Sequence, residues 1–232
     1  MVGVLAFVFA SCGKSQTKLR NEKDSVSYAL GMVQGYELLE FDSTVNVAAL
    51  AQAIDDILNN KKTALLPEEY DRYLQDYYML VKPMRDLEES REFLAKIEKQ
   101  DNVKKSPSGL LYEIVTEGDA SVKISGLEDA VAVNLVGRFK NGREFENTMG
   151  NGVAVLLENA VPGWVEGVSM IGKGGRIKLW IPPALGYAEM GSGIIPPNEA
   201  LFFDIELLDI IPADSLGITD DERFDSMLRS MQ

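Results

Sequence analysis

Histidine is absent from the 232 residues, and cysteine occurs once, at Cys12. The first absence removes Ser-His-Asp and Cys-His catalysis, and with them every metal site that uses imidazole. The second removes an intrachain disulfide and any cysteine cluster for zinc or iron–sulfur. Positive charge is scarce: 23 Lys and Arg stand against 36 Asp and Glu, for a formal net charge of −13. A chain of that sign suits nucleic acid poorly, so no nucleic-acid partner is expected. Long apolar runs are missing too. The run from Val2 to Ala10 is too short to span a bilayer. Gly172-Lys173-Gly174-Gly175 lacks the Lys-Ser/Thr ending of a phosphate loop and leads into a strand pattern, so it reads as a β-turn. EF-hand spacing is absent. Neither a metal nor a cofactor is expected.

What is present suits a globular protein of one or two domains, with 46% hydrophobic and 25% charged residues. The short apolar run ends in small residues, and Ala10-Ser11-Cys12-Gly13 resembles a bacterial lipobox, in which the cysteine is lipidated and becomes the mature N-terminus. Residues 1–12 are therefore read as a signal peptide with a lipobox, and Cys12 as the lipidation site. Residues 13–23 are polar and read as a tether. The expected location is the bacterial cell envelope, as a periplasm-facing lipoprotein held to the membrane through its lipid anchor only. At the other end, residues 212–232 form an acidic, solvated tail with Asp214, Asp220, Asp221, Glu222 and Asp225.

From Asp24 to about Gln100 the pattern is helical. Asp24 can cap a helix beginning near Ser25, and Asn46 can cap a second that carries Leu50, Ile54, Ile57 and Leu58 on one face. Pro67-Glu68-Glu69 marks a third start. Pro83 is expected to break or kink that helix. Met84 to Gln100 carries few apolar residues among many charges, so it reads as an exposed arm. Lys104-Lys105-Ser106-Pro107-Ser108-Gly109 is the punctuation at which the domain boundary is placed. Beyond it the period changes to two. Val131, Val133, Leu135 and Gly137 share a face, as do Ile177, Leu179 and Ile181, and Phe203, Ile205 and Leu207. Asp204 and Glu206 should face water. Asn141-Gly142 signals a hairpin turn, and Pro162 to Val168 has room for only a short helix.

Several of these stretches resemble the FK506-binding-protein (FKBP) type of peptidyl-prolyl isomerase. Ser108-Gly109-Leu110-Leu111-Tyr112 is similar to the family's entry strand. Gly137 through Asn141-Gly142-Arg143-Glu144-Phe145 matches its hairpin, and Val161-Pro162-Gly163-Trp164 the lead into its short helix. Pro182 to Tyr187 matches its Tyr-bearing loop. Upstream, Asp24-Ser25-Val26-Ser27-Tyr28-Ala29-Leu30-Gly31 and Phe93-Leu94-Ala95 resemble the dimerisation domain and connecting arm of Mip/FkpA-type members. The fold class implied is α+β. An all-α dimerisation domain with its arm, residues 24–105, precedes a curved antiparallel sheet wrapped over a short helix, residues 106–211.

The resemblance implies a homodimer whose substrates are proline-containing unfolded or nascent envelope proteins. It makes Trp164 the floor of a proline pocket, with Phe145, Val161, Ile195 and Phe203 as walls. The carbonyl donors would be the Val161 N–H and the Tyr187 hydroxyl. Four positions depart from the pattern. Leu135 stands where active members place Tyr, and Glu146 replaces Asp after the hairpin Phe. Val153 stands where an aromatic wall is common, and Ala160 where Val or a larger residue is usual. These departures imply weak turnover or an altered substrate preference. They leave open an alternative, an FKBP-fold chaperone or peptide-binding module with little or no isomerase activity.

Overall fold

The computed structural model describes residues 18–42 and 44–212. Cys12 and the acidic residues from Asp214 onward therefore lie outside the described residues. The chain is α+β, with helices preceding a seven-stranded antiparallel sheet. It divides into two compact units between Thr63 and Ala64.

In the first unit, helix α1 (Glu22–Phe41) is capped by Asn21, whose side chain accepts the Asp24 N–H at 2.9 Å. The cap expected at Asp24 is thus one turn earlier, and the Asp24 carboxylate instead accepts the Arg20 N–H at 3.0 Å. Helix α2 (Val47–Leu58) starts as its sequence indicates, with Asn46 accepting the N–H groups of Ala48 and Ala49. Its apolar residues Ile54, Ile57 and Leu58 are exposed.

The second unit opens with α3 (Pro67–Asp76), where Glu69 accepts the Leu66 N–H at 3.0 Å. Pro83 does not break the run. A π turn over Tyr77–Val81 joins α3 directly to α4 (Lys82–Ile97), and the Lys82 N–H reaches back five residues to the Tyr77 carbonyl. The wider turn makes room just where a proline ring crowds the preceding carbonyl. Around it, Arg85 donates to the Tyr77 hydroxyl at 2.6 Å, and Lys82 pairs with Asp86. Asp86 and Ser90 are buried, so α4 is not the exposed arm that its composition suggests. The compact units divide between Thr63 and Ala64 and not at Lys104–Gly109, with α4 bonded through Ser90 to Asn198 and Ala200 at the entry to the last strand.

The sheet runs in the order β1-β2-β6-β7-β3-β4, with β5 also on β3. Its strands are β1 (Lys104–Lys105), β2 (Leu111–Thr116), β3 (Ala130–Phe139), β4 (Glu144–Asn147), β5 (Val153–Leu156), β6 (Arg176–Ile181) and β7 (Leu201–Ile211). The period-two faces read from the sequence become the core: Val131, Val133, Ile177, Leu179, Ile205 and Leu207 are fully buried. One short helix, α5 (Pro162–Val168), packs on this face through Trp164 and Val168. On the other face Arg176 forks onto Asp204 at 2.8 and 2.9 Å, and Asn134 donates to Glu206 at 3.0 Å. Asp204 is therefore half-buried and paired, while Glu206 is exposed. Gly172–Gly175 forms the expected turn into β6, closed by Gly175 N–H to Gly172 C=O at 2.9 Å.

The hairpin between β3 and β4 turns at Gly142, with φ +86°. It delivers Phe145 beside Gly137, where a Cβ would lie 2.7 Å from the Phe145 ring and 3.1 Å from Phe203. We expect Gly137→Ala to lower the unfolding free energy by about 1–3 kcal/mol, the usual cost of overpacking a filled core. The shift in denaturant midpoint at unchanged slope measures it.

Candidate functional site

A cavity of about 170 Å³ opens at the edge of the core. Its lining comes from six places in the chain. Leu135 projects from β3, Glu146 from β4, Val155 from β5, and Phe203 from β7; Asn159, Ala160, Val161 and Trp164 come from the entry to α5. Tyr187 closes it from the loop that follows the short 3₁₀ turn Pro183–Leu185. Sheet pairing brings the strand members together, because Leu135 lies opposite Ile205, and Gly137 opposite both Phe203 and Glu146.

Seven of the ten pocket residues named from the sequence thus line one cavity: Leu135, Glu146, Ala160, Val161, Trp164, Tyr187 and Phe203. Phe145, Ile195 and Val153 are not among the lining residues. Phe145 meets Phe203 edge to face, with ring centroids 5.5 Å apart and planes at 87°. Ile195 belongs to the same buried cluster as Trp164 and Phe203. Val153 is 38% exposed. Val155 takes part instead. The two valines share a face of β5 at period two, so the pattern alone does not choose between them. Asn159 lines the cavity as well, at a position where an Asn carries no sequence signal of its own.

The polar groups are few. The Val161 N–H donates to no protein acceptor among the described residues, because Val161 precedes α5 and only its carbonyl is engaged, by Trp164 and Val165. Burial pushes the Tyr187 phenol up from its ordinary pKa, and the negative charge of Glu146 adds to the rise. The hydroxyl therefore stays protonated, and a donor, well into alkaline solution. The linkage runs one way. Tyr187 leaves stability untouched below its ordinary pKa, and costs stability as the pH climbs from there through the raised native value. Among the described residues no group of three or more His, Cys, Asp or Glu is placed to hold a metal ion. The geometry offers an apolar floor, aromatic walls and two hydrogen-bond donors. It can hold a small ring and an adjacent carbonyl.

Comparison with known proteins gives the family. Residues 123–208 match the model of the FKBP-type peptidyl-prolyl cis-trans isomerase domain, and residues 23–114 that of the domain amino-terminal to it. The FKBP-type peptidyl-prolyl cis-trans isomerase FkpA of Escherichia coli K12 is 32% identical, over 88% of this chain and 82% of that protein. The peptidyl-prolyl cis-trans isomerase Mip of Coxiella burnetii is 26% identical, over 89% of this chain and 94% of that protein. The crystal structure of Escherichia coli FkpA superposes with a TM-score of 0.54, covering 84% of this chain and 100% of that one. The chain belongs to the FKBP-type peptidyl-prolyl cis-trans isomerases, and carries the helical domain that precedes their catalytic sheet.

Glu146→Gln removes a negative charge from beside Tyr187. We expect the Tyr187 phenol to titrate at lower pH in that variant, still above its ordinary value because burial remains. Titration of the Tyr187 ring carbon by NMR reads this directly, and an unchanged midpoint would remove Glu146 from the electrostatics of the pocket.

Proposed function

We propose that the isomerase activity of this chain resides in the Trp164 pocket and proceeds without a covalent step. Rotation about an X-Pro bond must break amide resonance, a barrier of ~18–20 kcal/mol. The twisted amide is less charge-separated than the planar one, so a dry apolar site favours it. Trp164, Phe203 and Leu135, each at most 6% exposed, supply that surface for the prolyl ring. The Val161 N–H and the Tyr187 hydroxyl hold the substrate carbonyl, acting as fixed donors that need no reorganisation during the turn. The observation that carries this reading is the convergence of Trp164, Val161, Tyr187 and Phe203 on one cavity.

The departures at Leu135 and Ala160 bear on strength. Leu135 brings no hydroxyl, and Ala160 leaves space. Both argue for slower turnover than a fully aromatic pocket gives, or for a bulkier residue beside the proline. Substrates are unfolded or nascent proline-containing proteins of the bacterial envelope, with the protein held at the membrane by lipid on Cys12. No helix among the described residues is long and apolar enough to cross a membrane. We further propose a homodimer. Its support is the apolar surface that each unit leaves in water: Val26, Tyr28, Val33 and Tyr36 in the first, and Tyr70, Tyr73 and Leu74 in the second. Two pockets on one dimer would add avidity for an unfolded chain.

Turnover on a panel of X-Pro peptides tests the site. Tyr187→Phe should lower kcat/KM about tenfold, roughly the worth of one hydrogen bond. Trp164→Ala should lower it further, and Leu135→Tyr should raise it. Wild-type protein that is folded yet inert across the panel would overturn the reading in favour of a chaperone or peptide-binding module. Sedimentation at micromolar concentration checks the assembly, and a monomer there would remove the dimer.

A further inference from the structure

Asn198 sits beside Pro196 and Pro197 in the loop that returns to β7, with φ at +57°, a region that few residues other than glycine adopt. Asn tolerates it better than most. Three of its groups are hydrogen-bonded, each in a different direction. Its N–H donates to the Ala188 carbonyl at 2.7 Å, next to Tyr187. Its side-chain amide donates to the Pro83 carbonyl at 3.0 Å. Its own carbonyl accepts from the Ser90 hydroxyl at 2.7 Å.

Ser90 completes the arrangement. It is fully buried, and its oxygen also accepts the Ala200 N–H at 3.0 Å. Pro83 and Ser90 both belong to α4. Beside them, the buried Glu199 carboxylate accepts from the Lys140 N–H at 2.8 Å and pairs with the Lys140 ammonium at 2.6 Å. The same ammonium lies 3.6 Å from Glu89 of α4. So α4 is bonded to the segment 188–200 at Asn198 and Ala200. That segment begins beside Tyr187, which lines the pocket, and contains Ile195, which packs in the cluster of Trp164 and Phe203.

Resting on the isomerase reading above, we propose that Asn198 and Ser90 form a latch through which helix α4 positions the loop of Tyr187 and Ile195, making both positioning residues for the isomerase site. Neither touches substrate. They act by fixing where the Tyr187 hydroxyl and the Ile195 side chain stand. A buried hydroxyl that both donates and accepts is costly to lose, because its two partners are then left unsatisfied. A donor displaced by about 1 Å can cost on the order of a hundredfold in rate. A helix held to the pocket by this latch is part of the catalytic unit, although it lies outside the sheet in sequence.

The test uses the full chain and two variants. Asn198→Gly keeps the backbone bonds and tolerates the positive φ, but loses the amide contact to Pro83. Ser90→Ala loses both bonds of the hydroxyl. Each is assayed for kcat/KM at a temperature where circular dichroism shows it folded, together with hydrogen exchange of the amides from 187 to 200. We expect loop amides to exchange faster, kcat/KM to fall about tenfold in Ser90→Ala and less in Asn198→Gly, and the pH profile to keep its shape because the groups themselves are unchanged. Faster loop exchange with unaltered kcat/KM overturns the proposal, since the latch would then only hold the helix. Unchanged loop exchange in both variants overturns it as well. Should wild-type protein show no turnover, the isomerase reading falls by itself, and the exchange comparison still decides whether α4 sets the loop.

Discussion

One apolar sheet face, closed by one short helix, sets the terms for the rest of the molecule. Strands β3, β6 and β7 place a side chain on that face at every second residue. Val131, Val133, Ile177, Leu179, Ile205 and Leu207 leave no exposed surface. Seating α5 on it requires close approach, and Gly167 permits this where a Cβ would lie 2.3 Å from Leu179. Trp164 is carried in with the helix. The pocket is therefore not an addition to the fold but the place where the core reaches the surface. Leu135, Trp164 and Phe203 pack in the core and line the cavity at once, so under the proposed function substitutions there would trade stability against activity.

Much of this was legible in the residues. Period two fixed the inward faces of β3, β6 and β7. Asn141-Gly142 located the hairpin, Pro67 a helix start, and Pro162 to Val168 the helix under the sheet. These signals are local, and local signals survive in a single sequence. What was hidden depends on partners far away in the chain. Ser90 sits among charges and reads as solvent-facing, yet it is fully buried because Asn198 and Ala200 meet it. Pro83 reads as a break or a kink, and only the backbone shows the π turn that accommodates it. The choice of Val155 over Val153 is set by where β5 runs along β3, which no spacing rule within β5 conveys. The lipobox and the acidic tail lie beyond the described residues, and rest on sequence alone.

The chemistry is consistent with the absences in the composition. Isomerising a prolyl bond needs no nucleophile and no proton transfer, only a surface that prefers the twisted amide and donors that are already in place. A cavity of about 170 Å³ is smaller than the roughly 300–1,000 Å³ of drug-sized sites. It suits one small ring better than a large ligand. The raised Tyr187 phenol only extends into alkaline solution the protonated state that a tyrosine holds at neutrality.

The π turn at Tyr77–Val81 has a geometric consequence. It amounts to one residue inserted into a helix, and one residue is about 100° of azimuth on a helical cylinder. The stripe formed by Tyr70, Tyr73 and Leu74 on α3 is therefore dialled just over a quarter of a turn away from where an uninterrupted helix would present it. The helix works as an indexed shaft. One end is keyed to the sheet through Ser90, and the bearing of the other is set by a single inserted residue. The direction in which α3 offers its aromatic side chains can thus be reset by one codon while the keyed end stays where it is.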